Sequence, residues 1–426
     1  MSAKKIFLGF GLGAVQSGLM LMEAVKSGNF SRYVIIEVNK NLVHSIRNSD
    51  NSISINTATD SGIVRSKLTD IEVYNPHDPA DLPLIQAAIM ETDEMATAIP
   101  SVDFYDSGGN SSIVSLLANN INPGKPQVLY TSENNNYAAE ILIEKIHHLT
   151  TPNRLIHFQA VNTVIGKMGG IIKDPKTISE LNLDLITSSW NSAFLVEQFN
   201  SIIISRITLP GYIRGIQVFQ EKDDLLPFEE AKLYGHNAVH SMLGYFAYLQ
   251  SFKFMSEIRN DKLLYCLGKL AFENESGAFL LKKYQNLEEP LFTREGFEHY
   301  ASDLLKRMTN PFLRDEVSRI CRDPLRKLQY RDRFLGTIRE AFKQNIEARL
   351  IAWAVLAAII YLIREKITIG FPLPRDIADL NHKTIPDILK YLWRDETTDG
   401  YLQDSIDLIC SQVTAFTNTI LKQGNK

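Results

Sequence analysis

Residues 5–9 (KIFLG) form an apolar run of strand length, and from Ala14 to Val25 apolar residues recur at helical spacing, with Leu19, Met22 and Val25 on one face. A glycine-rich turn separates the two segments. YVIIEVN over residues 33–39 is a second strand-length run, with Glu37 near its end. Strand, glycine turn, helix and strand in this order predict the unit that builds a parallel sheet. Ile53 and Ile55 alternate with Ser52, Ser54 and Asn56, and together with IEVYN at 71–75 they predict a strand pair. The alternation then resumes: helix near 80–92, strand near 94–99, helix near 112–120, strand 127–131, helix 135–148, strand 155–161. A doubly wound α/β domain is the expectation for this half.

The texture changes at Pro227. Segments 228–256, 259–285, 294–308, 311–321, 332–362 and 402–422 carry helical periodicity, and GIQVF at 215–219 reads as the last strand before them. Two domains follow, 1–200 and 201–426, the second mainly α-helical. The longest apolar run, Leu350 to Leu362, has 13 residues and contains Trp353 and Tyr361; it is too short to span a bilayer and reads as a buried helix. Lys4 and Lys5 ahead of apolar residues imitate a leader peptide, but Gly9, Gly11, Gly13 and Gln16–Ser17 interrupt that run.

Composition narrows the function. The 426 residues carry 45 Lys and Arg against 49 Asp and Glu, a formal charge of −4, so nothing draws the whole chain to nucleic acid or anionic lipid. With 45 % hydrophobic and 22 % charged residues the chain has material for a substantial core. Three cysteines, Cys266, Cys321 and Cys410, lie far apart with no C-x-x-C, which excludes a disulfide framework and the usual cysteine zinc sites and points to the cytoplasm. Small-molecule chemistry is the leading class.

Gly9-Phe10-Gly11-Leu12-Gly13-Ala14 fits G-x-G-x-x-A, the fingerprint of a Rossmann-type dinucleotide turn. Gly9 permits the tight turn, Gly11 lets backbone approach a pyrophosphate, and the helix from Ala14 offers free N–H groups to phosphate. Glu37 sits where its carboxylate can accept from adenosine ribose hydroxyls and repel a 2′-phosphate, which favours NAD over NADP. FAD obeys the same logic, and a glycine motif also marks ordinary turns. Thr97 and Asn134 follow later strand signals and are further cofactor candidates; ordinary polar loop residues are the competing reading.

The segment EEAKLYGHNAVHSML (229–243) starts just after Pro227, a helix-initiating residue. At about 100° per residue Lys232, His236, His240 and Asn237 stand near 0°, 40°, 80° and 140°, on one arc. A lysine buried there loses basicity and becomes a proton donor and acceptor near neutrality. Asn237 can donate to a developing alkoxide, and His240 can orient the lysine or a substrate hydroxyl. A solvated lysine beside two satisfied histidines is the bland alternative, and His236 with His240 at i, i+4 is a metal-ligand spacing without the H-E-x-x-H pattern.

Read as K-x-x-x-x-N-x-x-H, Lys232, Asn237 and His240 resemble the signature of the polyol-specific long-chain dehydrogenases, the mannitol dehydrogenase family. VNTVIGKM (161–168) resembles the family's N-S-x-V-D-R-I segment, with Asn162 at the motif asparagine. NPFLRDEVSRICRDPLRKL (310–328) resembles N-P-x-x-x-D-x-x-x-R-x-x-R-D-P-x-R-K-L of the mannitol-1-phosphate 5-dehydrogenases, and TSEN (131–134) and EVN (37–39) resemble C-E-N and D-V-N. The matches run from residue 5 to about 336.

The resemblance implies zinc-independent, NAD-dependent oxidation of a sugar alcohol or its phosphate to the ketose, in the cleft between an amino-terminal Rossmann domain and a helical carboxy-terminal domain. It implies Lys232 as general acid/base, Asn162 and Asn237 as a polarising pair, His240 as their support, no metal, and a monomer or homodimer. Gly166-Lys167-Met168 in place of D-R-I is a departure. Arg326 and Lys327, with Arg331 and Arg333, are candidates for a substrate phosphate, and a solvated basic face is the alternative. Two other functions stay open: a fructuronate or tagaturonate reductase of the same family, and a non-catalytic NAD(H)-sensing protein.

Overall fold

The computed structural model describes residues 4–397 and 399–422. The chain forms two compact units, Met1–Leu225 and Leu226–Lys426, so the division falls at 225/226 rather than near residue 200.

Among its described residues the first unit holds twelve strands: β1 (Lys5–Phe10), β2 (Phe30–Ile36), β3 (Ile53–Ala58), β4 (Ile63–Leu68), β5 (Ile71–Tyr74), β6 (Glu94–Thr97), β7 (Gln127–Thr131), β8 (Phe158–Val164), β9 (Gly169–Ile172), β10 (Ala193–Glu197), β11 (Ile203–Ser205) and β12 (Gln220–Lys222). Eight of them make one sheet in the order β12-β11-β8-β7-β6-β1-β2-β5. From β5 to β8 every neighbouring pair is parallel, and Phe10 lies opposite both Ile36 and Thr97. Chain order reverses at β1, between β2 and β6, which is where an open α/β sheet leaves a crevice at its strand ends.

Successive side chains of a strand point to opposite faces, and both faces of this sheet are covered. Phe7, Ile35, Val73, Val128 and Tyr130 pack on one side with Leu19 to Met22 and with Ile55, Phe194 and Val196 of a second sheet. Leu8, Phe10, Val34, Ile36, Met95 and Leu129 pack on the other with Ile85, Leu117 and Leu142 of the helices Leu82–Glu91, Ile113–Asn120 and Ala138–His147. The second sheet has the order β4-β3-β10-β9.

Two strand expectations change. Residues 53–58 do not pair with 71–75: β3 turns through Asp60–Gly62 into β4, an antiparallel hairpin, while β5 joins β2 in the main sheet. GIQVF at 215–219 is not a strand; the N–H groups of Gly215 and Ile216 donate to the buried Glu94 carboxylate instead of to a ladder, and the strand begins at Gln220. Because β11 and β12 complete the first sheet, the segment after residue 200 belongs to the first unit.

The second unit is helical. Leu226–Leu249 runs as one rod, α-helix interrupted by a π-helical turn at Ala231–Asn237. Lys262–Lys283 repeats that pattern with a π turn at Ala271–Ser276. Segment 311–321 is helical only at Val317–Ile320. Segment 332–362 breaks into Arg333–Lys343 and Arg349–Arg364, with Asn345 in the left-handed region at φ 57°. Arg349–Arg364 is the buried apolar helix, and the Glu275 carboxylate accepts from Leu350 N at 2.7 Å and Ile351 N at 3.0 Å, supplying partners to its first turn. Among the described residues no helix is long and apolar enough to cross a membrane.

Candidate functional site

In the first unit the glycine turn follows β1 at the reversal of strand order. Gly11 has φ +82°, and a Cβ there would stand 3.0 Å from Ala98 O and 3.2 Å from Ile99 Cγ2, so only glycine fits. A Cβ on Gly9 would run into the Gln16 amide. Gly13 faces open space. The Glu37 carboxylate is buried and accepts from Leu12 N at 2.8 Å through one oxygen and from Asn39 N at 2.8 Å through the other. Each oxygen keeps a lone-pair direction, so an acid that holds the turn can still accept from a hydroxyl.

Beside Phe10 and Gly11 lies a mostly apolar cavity of about 390 Å³ lined by Ile36, Val38, His77, Ile99 and Phe104, a size and lining that suit a planar heterocycle. The turn, the acid and this slot together fit a dinucleotide.

Thr97 is fully buried, and its hydroxyl donates to Glu133 at 2.8 Å. Glu133 also accepts from Ile99 N at 3.0 Å and from the Tyr105 hydroxyl, whose pKa burial and this carboxylate push far up. Glu133 therefore organises the ends of β6 and β7. It stood inside the TSEN motif without a role, one position before Asn134, which is exposed.

Asn162 on β8 is fixed at both ends. Its Oδ1 accepts from Ala139 N at 2.8 Å and its Nδ2 donates to Glu140 at 2.7 Å, which leaves one amide N–H. The departure at 166–168 is scaffold: Lys167 Nζ donates to Glu197 O, to Phe199 O at 3.0 Å and to Asn200 Oδ1 at 2.7 Å, tying the chain after β8 to the end of β10.

In the second unit Lys232, His236 and Asn237 all lie in the π turn, where the N–H of Ala238 reaches back to Leu233 O. Such i→i+5 bonding widens the turn, so the angle between residues five apart is smaller than α-helical spacing predicts, and Lys232 and Asn237 lie nearer one face of the rod. Burial lowers the Lys232 pKa to about 8; Glu229 pulls it back up and Arg333 pushes it further down. Burial, and then the charges of His240, Arg307, Lys232 and Arg333, hold His236 well below the usual histidine range, so it is a neutral imidazole. His240 lies with its ring centroid 5.9 Å from that of His236, and its Nε2 is 3.2 Å from Asp315 Oδ2.

The basic stretch divides. Arg326 is exposed. Lys327 is buried, its ammonium donates to the carbonyls of Ile320 and Arg322, and burial followed by Arg333 lowers its pKa to about 8. Two of its three N–H donors go to backbone, which gives Lys327 a scaffold role. Arg333 is the member that acts on Lys232; it is buried and donates to Asp332 at 2.8 Å and to Ser241 Oγ at 3.2 Å. Among the described residues no group of three or more His, Cys, Asp or Glu side chains is placed to hold a metal ion.

The family described as the mannitol dehydrogenase C-terminal domain matches residues 224–385, nearly from the first residue of the second unit. The mannitol-1-phosphate 5-dehydrogenase of Caldanaerobacter subterraneus subsp. tengcongensis is 26 % identical over 286 residues, 65 % of this chain and 68 % of that one. The enzyme of the same name from Thermoanaerobacter pseudethanolicus is 25 % identical over 84 % of this chain and 86 % of its own length. Residues 224–385 carry the mannitol dehydrogenase C-terminal domain, and the chain is similar over most of its length to mannitol-1-phosphate 5-dehydrogenases.

Solved structures of the fold agree. A substrate-free D-sorbitol dehydrogenase superposes with a TM-score of 0.76 at 13 % identity over 99 % of this chain and 95 % of that one. Pseudomonas fluorescens mannitol 2-dehydrogenase, solved with NAD and D-mannitol, gives 0.69 at 15 % identity over the same shares. The chain continues past the matched segment with the helix Leu402–Ser411 and the turns after it. That tail is anchored: Asp399 takes Arg339 and the Tyr330 hydroxyl, and Gln250 donates to Ile420 O at 2.7 Å.

Proposed function

We propose that this protein is an NAD-dependent oxidoreductase that converts a secondary CH–OH of a polyol or polyol phosphate to the ketose, reversibly. The observation that carries the reading is Lys232: a partly buried lysine with a pKa of about 8, on the same π turn as Asn237, which itself lies about one turn before His240. The matched C-terminal domain and the glycine turn with Glu37 support the same reading.

Gly9, Phe10, Gly11, Ala14 and Glu37 hold the dinucleotide, and Glu37 selects NAD over a 2′-phosphorylated cofactor. NAD⁺, when bound, accepts a hydride from the alcohol carbon. Neutral Lys232 takes the hydroxyl proton in oxidation and returns it in reduction. The free amide N–H of Asn162 and the amide of Asn237 polarise the reacting oxygen, and His240 engages a neighbouring substrate hydroxyl. Arg333, with Arg307 near His236, provides positive charge for an anionic end of the substrate, which favours a sugar phosphate such as mannitol 1-phosphate and fructose 6-phosphate. The same charge suits a carboxylate, so a hexuronate is the second reading. Free Cys266, Cys321 and Cys410 agree with a cytoplasmic home.

The test is NADH oxidation by the purified protein with fructose 6-phosphate, fructose, fructuronate and tagaturonate. The highest kcat/KM is expected for fructose 6-phosphate. Preference for a uronate selects the second reading, and no turnover despite tight NADH binding makes the protein a nucleotide sensor.

A further inference from the structure

The aspartate of the 310–328 motif has no role in the reaction as derived so far, and the fold brings it to His240. Asp315 is 4 % exposed and follows Arg314, which is held in the left-handed region at φ 52°. Its carbonyl accepts from Met255 N at 2.9 Å, which fixes the backbone. One carboxylate oxygen, Oδ1, takes Arg319 Nε at 2.8 Å and Nη2 at 2.6 Å. The other, Oδ2, stands 3.2 Å from His240 Nε2. Both atoms are buried and neither is hydrogen-bonded to any other group among the described residues, so each is left facing the other. A buried carboxylate oxygen facing a ring nitrogen is stable only if that nitrogen carries a proton.

We propose that Asp315 is a positioning residue that keeps the His240 proton on Nε2, so that Nδ1 presents a lone pair to a substrate hydroxyl. This rests on the polyol reading above and assigns the direction of one of its hydrogen bonds. With Nε2 turned to Asp315, Nδ1 is the ring nitrogen left for the ligand. Arg319 neutralises the far side of the carboxylate, so the pair is a charge-balanced triad of Arg319, Asp315 and His240. Burial alone would raise the Asp315 pKa, but His240 and Arg319 outweigh it and the carboxyl stays ionised, with its pKa lowered. The other titratable group against the ring is His236, itself pressed toward neutrality by Lys232, Arg307 and Arg333, so it brings no competing charge. The arrangement has the logic of a metal-free carboxylate–histidine pair, in which the outer acid sets the tautomer of the working imidazole.

Two measurements test it. Long-range proton–nitrogen NMR of the ¹⁵N-histidine-labelled full chain, with the His240 signal assigned by its loss in His240→Gln, reads the tautomer without any substrate. Nε2–H is expected; Nδ1–H in the wild type overturns the proposal whatever the protein's substrate is. In kinetics, Asp315→Asn offers an amide that can donate to Nε2 and move the proton to Nδ1. A loss of roughly 10- to 100-fold in kcat/KM for the polyol is expected, with NADH affinity unchanged and with Asp315→Glu restoring most of the loss. Wild-type kcat/KM in Asp315→Asn with an unchanged pH profile overturns it. If Asp315→Asn does not fold, the wild-type tautomer decides alone.

Discussion

In the mechanism we propose, replacing Lys232 by alanine isolates the proton-transfer step, and the expected size follows from its surroundings. Oxidation needs the neutral amine. With a pKa of about 8, Lys232 is neutral in roughly one molecule in ten at pH 7, whereas an ordinary lysine at 10.5 is neutral in roughly one in three thousand, so its location raises the working base about 300-fold. For polyol oxidation, kcat/KM therefore climbs tenfold per pH unit and levels off above about 8. Ketose reduction needs the protonated form and falls above the same value. Lys232→Ala removes both limbs and lowers plateau turnover by about 10²- to 10⁴-fold, while NADH binding, followed by its fluorescence in the same buffers, is unchanged. Its neighbours set the sign of two further shifts. Arg333→Gln removes a charge that lowers the Lys232 pKa and moves the limb to higher pH; Glu229→Gln removes one that raises it and moves the limb to lower pH. A limb that persists in Lys232→Ala, or turnover within a few-fold of wild type, would refute the assignment.

Gly11→Ala is expected to weaken NADH binding by roughly tenfold or more, because a left-handed non-glycine residue costs about 1–2 kcal/mol and its Cβ sits 3.0 Å from Ala98 O; titration calorimetry checks it, and unchanged affinity removes the turn from the cofactor site. Lys327→Met leaves the carbonyls of Ile320 and Arg322 without their donor, at about 1–3 kcal/mol each, so Tm drops by several degrees while KM for a phosphorylated substrate stays put. A raised KM at unchanged Tm would instead place Lys327 on the substrate.

Much of the first unit was legible because its signals are local. A short apolar run, a glycine turn and a helical period each report the chain within a few residues, and parallel strands buried on both faces read as uniform apolar runs. β7, at 127–131, falls where its pattern predicts it. The limit at residue 200 failed because the elements that close the sheet are three residues long and carry no period. GIQVF has strand composition, yet its amides go to a glutamate 121 residues away, a partner that no window contains.

By itself, then, the sequence determined the alternating strands and helices up to β8, the glycine turn and the spacing of Lys232, Asn237 and His240, because each is a matter of spacing along one segment. Tertiary structure decided what those residues are electrostatically. It inserted a π turn that narrows the angle between Lys232 and Asn237, where a regular wheel separates them widely. It buried Lys232 beside Arg333, and it sent Lys327 of the same basic stretch into the scaffold. It also brought Asp315 to His240. Basicity and hydrogen-bond direction depend on burial and on charges from other helices, and those are properties of packing that the order of residues along one helix does not contain.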